Sequence, residues 1–416
     1  MRALSMPVFR RASVLGLALL FASSSYSQDL TSDQKSEIMT AIGDVISKRA
    51  FVPGVDFSKW PEFVTSQQEA LDKATNVNTF SGAVNGALRK FGFSHIRLST
   101  PRATTNRGRT SSIGVGVSVR KTEAGLEVTS VAEAGPGKAA GLEVGDTILK
   151  LNGAAADAPE ALEGESGSKV SVEVKKKSGE TKVVEIERKQ FSTVREETLK
   201  WPNEETAVLR VFTFSAGYGR QNIENLLKDA GKAKFLVVDL RNNGGGAVNN
   251  LNHLLSLLLP DGTPYGVFVS RSIFDKYKVE RPDDPSDVVS VANWSTSKAK
   301  TRKRGVEPFA GKIAVLINRG SGSASEICAA AVKESGGILV GTRSAGAVLA
   351  STYARLPHGF SLQYPVSDYV TVKGMRLEAN PLKPDYEVTA AVRGDDDPVL
   401  NKAIEVLRPL SSQLFR

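Results

Sequence analysis

Cysteine occurs once in the 416 residues, at Cys328, so no disulfide can form within the chain. That thiol lies in an Ala-rich stretch and reads as a small buried hydrophobe rather than a reactive group. Histidine is almost as scarce: His95, His253 and His358 are the three imidazoles available to any acid–base chemistry. Past residue 22 no apolar run approaches the roughly 20 residues that a membrane-spanning helix needs, so no span is expected. Aromatic residues are only 7% of the chain, and the densest basic run, Lys298-Ala-Lys-Thr-Arg-Lys-Arg304, contains none. That run could meet anionic surfaces but reads as a solvated loop, and no nucleic-acid partner is expected. Nothing calls for a metal or a cofactor, and nothing sets an oligomeric state.

The amino terminus carries a recognisable pattern. Arg2, Arg10 and Arg11 accompany an apolar run over residues 12–22, and Ser25-Tyr26-Ser27 offers small residues at the usual cleavage offsets. Residues 1–27 are therefore expected to be a cleavable secretory signal, which implies a periplasmic or secreted protein. No cysteine follows the run, which argues against a lipid anchor. The rest is long enough for two or three domains of roughly 100–200 residues.

Residues 28–110 read as an N-terminal helical region. Thr31 with Gln34 has the form of a capping box, and Ile38, Met39, Ile42, Val45 and Ile46 recur at helical spacing. Phe80, Val84, Leu88 and Phe91 suggest a second helix stopped by Gly92. Ser94 and His95 follow at once, and residues 101–112 read as a polar linker.

Residues 111–191 form a separate unit of alternating strands, with the stretch Ala140-Gly-Leu-Glu-Val-Gly-Asp-Thr-Ile-Leu-Lys-Leu-Asn-Gly153. This long motif resembles a PDZ domain of the permuted kind found in bacterial proteases. The resemblance implies that an extended peptide tail adds as a strand, its carboxylate held by backbone N–H groups of a glycine-containing loop. That loop is expected at Ile113, Gly114, Val115, Gly116 and Val117, where glycine lets the backbone approach an anion.

Residues 192–416 alternate strands and helices, which argues for an α/β layer structure. The run Phe235-Leu-Val-Val-Asp-Leu240 is apolar enough to be buried on both faces, and Gly244-Gly-Gly246 leads from it into a helix. The pattern repeats at residues 312–333, where a strand ends in Arg319-Gly-Ser-Gly-Ser-Ala-Ser-Glu-Ile327. A small-residue turn between a buried strand and a helix presents a hydroxyl beside free backbone N–H groups and a positive dipole end. Ser323 is the best placed nucleophile, with Ser321 and Ser325 rivals on local chemistry alone. Glycines after the neighbouring strand could leave oxyanion donors uncovered, and Asp239 with Arg241 reads as an ion pair tying that turn. His253, in an apolar helix, reads as structural, and His358 as part of a hairpin turn.

The Ser turn, the Asp239–Gly246 segment, the PDZ unit and Pro384-Asp385 together resemble the C-terminal processing peptidases. That resemblance implies an α/β, crotonase-like core of ββα repeats with an inserted PDZ domain, and an exported serine endopeptidase working through an acyl-enzyme. Protein or peptide substrates with accessible C-termini are the partners it implies. It carries the nucleophile onto Ser323 and the oxyanion donors onto Ala324 and Gly245 or Gly246. The family's general base is a lysine, and Ala347 stands in its place. Either the chain is an inactive peptide-binding protein, or it resembles the sister branch of the tricorn core and a chlamydial protease. There a His precedes the PDZ domain and a Glu lies near the end, which carries onto His95 and Glu378, with Pro381 where that segment usually has glycine. Glu326 is an alternative orienter of the imidazole, or simply a helix-start anion.

Overall fold

The computed structural model describes residues 29–157 and 159–408, so the expected signal segment lies outside the described residues. The first helix, Ser32–Arg49, begins with the capping box foreseen: Thr31 and Gln34 exchange side-chain-to-backbone hydrogen bonds of 3.0 and 3.2 Å. Its apolar face, Ile38, Ile42 and Ile46, packs against the helix Val77–Arg89 and against Leu356, Phe360 and Leu362 from far along the chain. This core settles where His95 goes. After Gly92 (φ 78°) the chain turns, and the strand Arg97–Ser99 pairs antiparallel with Ser361–Val370, Leu98 opposite Leu362. The imidazole is thereby attached to the C-terminal half of the protein, although its sequence neighbours belong to the helical region. Residues 101–112 are not a linker: Thr100 caps a short helix, Pro101–Asn106, and Ser111–Gly114 is a strand.

That strand pairs with Lys189–Ser192, so one two-stranded ribbon carries the chain into and out of the PDZ unit. Between them, Val117–Thr122, Gly125–Val131, Thr147–Leu151, Lys169–Lys175 and Thr181–Glu187 form an antiparallel sheet. It encloses its own core of Leu126, Val128, Ile148, Val170 and Val172.

A six-stranded sheet runs Thr198–Asn203, Thr206–Arg210, Phe235–Asp239, Lys312–Ile317, Ile338–Gly341 and Tyr386–Glu387, parallel throughout except for the first pair. Helices cover both faces, as an apolar parallel sheet requires. Arg220–Ala230, Val248–Leu258 and Ala324–Glu334 lie on one side, and Pro398–Leu407 packs on the other through Val399, Ala403 and Leu407. Phe235–Asp239 and Lys312–Ile317 are neighbours in register, Asp239 opposite Leu316. Their carboxyl ends therefore lie side by side, where open α/β sheets place their ligand crevices. The Gly244–Gly246 turn leaves one end and the Ser323 turn the other. Among the described residues no helix is long and apolar enough to cross a membrane.

Candidate active site

Ser323 is the last residue before the helix Ala324–Glu334 and sits at φ 53°, ψ −119°. L-residues rarely adopt that conformation, which costs of order 1–3 kcal/mol and must be held by surrounding contacts. Here the Ser323 N–H donates to the Ala347 carbonyl (3.0 Å) and to Glu326 Oε2 (3.1 Å). Glu326 is fully buried and also accepts from Ser344 Oγ (2.5 Å), Gly346 N–H (2.8 Å) and Ala347 N–H (3.0 Å). Burial raises the Glu326 pKa, and these donors offset it only in part. With its oxygens so occupied, Glu326 clamps the Ser turn to the 344–347 loop and has no contact with an imidazole. The rival serines are spent elsewhere. Ser321 Oγ donates to the Leu240 carbonyl (2.9 Å), and Ser325 is fully buried with no partner for its hydroxyl.

Ser323 Oγ lies 3.2 Å from His95 Nε2. His95 Nδ1 does not meet Glu378 directly. It lies 2.6 Å from Ser94 Oγ, which donates to Glu378 Oε2 at 2.8 Å. Glu378 is buried and also accepts from the Ser94 N–H (2.6 Å) and the Val348 N–H (2.7 Å). A hydroxyl has one proton to give. With that proton on Glu378, Ser94 Oγ must accept from His95 Nδ1–H, leaving the Nε2 lone pair facing the Ser323 hydroxyl. Burial lowers the His95 pKa, and the nearby Glu378 charge opposes this without cancelling it. Ser94 was legible only as the residue beside the histidine; its bridging position required the fold.

The other imidazoles are elsewhere. His253 is buried between Tyr218 OH (2.9 Å) and Glu224 (3.0 Å), and His358 caps the hairpin between Leu349–Arg355 and Ser361–Val370 and meets Glu37 (2.8 Å). Cys328 is buried, with its thiol pushed up to about 12.

Gly244, Gly245, Gly246, Ser323 and Ala324 share a cleft of about 1050 Å³ with His95 and the apolar side chains Phe268, Val348 and Leu349. The Ala324 and Gly246 N–H groups have no acceptor among the described residues. Gly245 differs from expectation: its N–H donates to the buried Asn243 Oδ1 at 3.0 Å, so it is not free for an oxyanion. Gly245 instead supplies space. A Cβ there would lie 2.7 Å from Ser323 Cβ and 2.8 Å from Ala324 N. Gly245→Ala is therefore expected to block the approach to the Ala324 N–H and lower kcat by roughly a hundred- to a thousandfold. Steady-state kinetics beside a thermal melt would check this; wild-type kcat in the variant would refute it. Arg241 holds the turn's entry, bonding Asp239 (2.7 and 2.9 Å) and Asp397 (2.7 and 3.0 Å).

Residues 111–191 contribute nothing to the lining of this cleft. Of the five expected carboxylate-loop residues, Ile113 and Gly114 belong to the ribbon strand, and the Val115 N–H is taken by the Leu162 carbonyl (3.3 Å). Gly116 (φ 83°) packs on Gly135, where a Cβ would meet its Cα at 2.8 Å, and Val117 opens the next strand.

Residues 205–388 match the model of Peptidase family S41, and residues 113–191 that of the PDZ domain. A carboxyl-terminal-processing protease of Picosynechococcus sp. is 27% identical over 297 residues, covering 68% of this chain and 64% of the relative. A "Probable CtpA-like serine protease" of Staphylococcus haemolyticus is 23% identical over 291 residues, covering 67% of this chain and 53% of the relative. The chain thus spans between about half and two thirds of the length of these relatives. Among solved structures, the tricorn protease shares the fold at a TM-score of 0.51 and 16% identity, covering 90% of this chain and 36% of that one.

Proposed function

Because the chain belongs to the C-terminal processing proteases of peptidase family S41, we propose that it is an exported serine endopeptidase whose base is His95 in place of the family's lysine. The reading rests above all on the 3.2 Å approach of His95 Nε2 to Ser323 Oγ, backed by the relay through Ser94 to Glu378. As Ser323 Oγ bonds to the substrate carbonyl carbon, its proton passes to His95 Nε2, and the carbonyl π electrons move onto oxygen. The Ala324 and Gly246 N–H groups would receive that oxyanion. Collapse breaks the C–N bond, and His95 returns the proton to the departing amine. Water then attacks the ester by the same route, releasing the acid and restoring Ser323. The buried Glu378 carboxylate favours the transient imidazolium through Ser94. With an imidazole within reach, the alanine at position 347 no longer argues for an inactive chain. The PDZ unit would recruit peptide C-termini outside the cleft and deliver the chain to it.

The test is covalent. Purified protein treated with a fluorophosphonate should gain one adduct, and peptide mass mapping should place it on Ser323, alongside turnover of an unfolded protein substrate. No adduct and no turnover, or an adduct on another serine, would remove the proposal.

A further inference from the structure

The basic run Lys298–Arg304 is largely a solvated loop, as expected, with Lys298, Lys300, Arg302 and Lys303 exposed, but its backbone is pinned. Lys300 pairs with Pro264 across a short antiparallel bridge, Asn252 Nδ2 donates to the Lys300 carbonyl (2.7 Å), and the Arg302 N–H donates to Ser256 Oγ (2.9 Å). Thr301 is buried between, its hydroxyl on the Pro260 carbonyl at 2.6 Å. The segment is pinned along the helix Val248–Leu258, the helix that starts at the oxyanion turn. It brings Lys298, Lys300, Arg302 and Arg304 together with Arg220 around a hollow of about 610 Å³ that no acidic side chain lines. None of the five forms an ion pair with a carboxylate among the described residues. Arg220 and Arg304 have only amide oxygens, Asn250 Oδ1 (3.0 and 3.1 Å) and Asn252 Oδ1 (3.2 Å), and the buried Nε of Arg304 has no acceptor. Five like charges gathered around one hollow, with Lys298, Lys300 and Arg302 exposed on a segment whose backbone is pinned, concentrate a positive field there. The hollow adjoins the cleft of Ser323, since Val248 and Phe268 line both.

We propose that this surface binds an acidic segment of the polypeptide substrate, so that bonds flanked by Asp and Glu residues are the preferred targets. The proposal rests on the endopeptidase reading and adds the substrate class. A polypeptide is the occupant because the hollow lies next to a cleft that already has to hold one, with Val248 and Phe268 common to both.

Binding can be measured without catalysis. Full-length Ser323→Ala is titrated, by fluorescence anisotropy, into a labelled peptide with an apolar centre flanked on both sides by glutamates, amidated at its C-terminus so that the PDZ unit has no carboxylate to hold. The same peptide with glutamine for glutamate is the reference. The acidic peptide should bind roughly tenfold more tightly, and added salt should erode the difference. In the Lys298→Gln/Lys300→Gln/Arg302→Gln background the ratio between the two peptides should fall to near one, and Lys298→Gln alone, an exposed change that spares the packing, should lower it in part. Equal affinity of the two peptides for Ser323→Ala, or a ratio untouched by the charge changes, overturns the proposal. So does displacement of the acidic peptide by a single-stranded oligonucleotide at lower concentration than by the unlabelled peptide, which would assign the surface to nucleic acid. A failure here leaves the fluorophosphonate result standing, and the reverse also holds.

Discussion

His95→Ala is expected to lower kcat by roughly ten-thousand- to a millionfold, with KM far less changed, because the base and its proton delivery are lost together. No other group among the described residues is placed to substitute. Glu326, the carboxylate next to the nucleophile, is already clamped by Ser323, Ser344, Gly346 and Ala347. Position 347 offers a methyl group, and the remaining imidazoles are engaged with Glu224 and Glu37. What activity survives should come from the oxyanion donors and substrate positioning. Peptide hydrolysis and the rate of fluorophosphonate labelling should fall in parallel, and near-wild-type values for either would discard His95 as the base. The wild-type pH profile carries a second signature. The base works only when neutral, and burial lowers the His95 pKa. Activity should therefore be present above the acid limb of kcat/KM and be lost as pH falls through it. That limb should lie below the ordinary histidine value of about 6.5 and vanish with the imidazole.

Which parts of this site the sequence disclosed follows from how local each cause is. Ser323 was legible because a strand, a small-residue turn and a helix are contiguous. The strain at its backbone was not, since it depends on Ala347 and Glu326 holding the Ser323 N–H. Both parallel strands were readable as apolar runs, yet their in-register adjacency, which sets Gly245 against Ser323, is a fact of the sheet. Sequence alone could nominate Gly245 and Gly246 equally. Only the Asn243 side chain, capturing one N–H and not the other, separates them. The grouping of His95 with Glu378, here bridged by Ser94, was suggested by resemblance to relatives and has no local cause. It depends on Leu98 packing opposite Leu362 in a sheet edge built from the two ends of the chain. The polar composition of residues 101–112 hid a capped helix and a strand because their partners, Ser361 and residues 189–192, lie far away in sequence. The anchors of the basic run, Asn252, Ser256 and Pro260, were hidden for the same reason.

Ser94→Ala is expected to reduce kcat by roughly a hundred- to ten-thousandfold, although Ser94 never touches the substrate. Its hydroxyl can donate once, and in this arrangement it donates to Glu378, so it can only accept from His95 Nδ1. That single constraint selects the tautomer in which Nε2 is basic. Without the hydroxyl the ring is free to rotate or exchange tautomers, and the carboxylate no longer reaches the imidazolium through a hydrogen bond. The Ser94 N–H would still donate to Glu378, so the local backbone should persist and a thermal melt should change little. Ser94→Thr, which keeps the hydroxyl, should recover most of the activity. Glu378→Gln should have a similar cost for a different reason, since a neutral amide cannot offset the imidazolium charge. If hydroxyl and carboxylate act as one relay, the double variant Ser94→Ala/Glu378→Gln should be no slower than the worse single variant. Strict additivity of the two losses would mean that they act independently. Full activity in Ser94→Ala beside an inactive Glu378→Gln would mean that the carboxylate reaches the ring directly once the hydroxyl is gone, and the relay would be unnecessary for catalysis. The His95 acid limb distinguishes these cases, because it reports the imidazolium itself. It should fall to lower pH in both single variants if each weakens the support for the charged ring, and fall no further in the double.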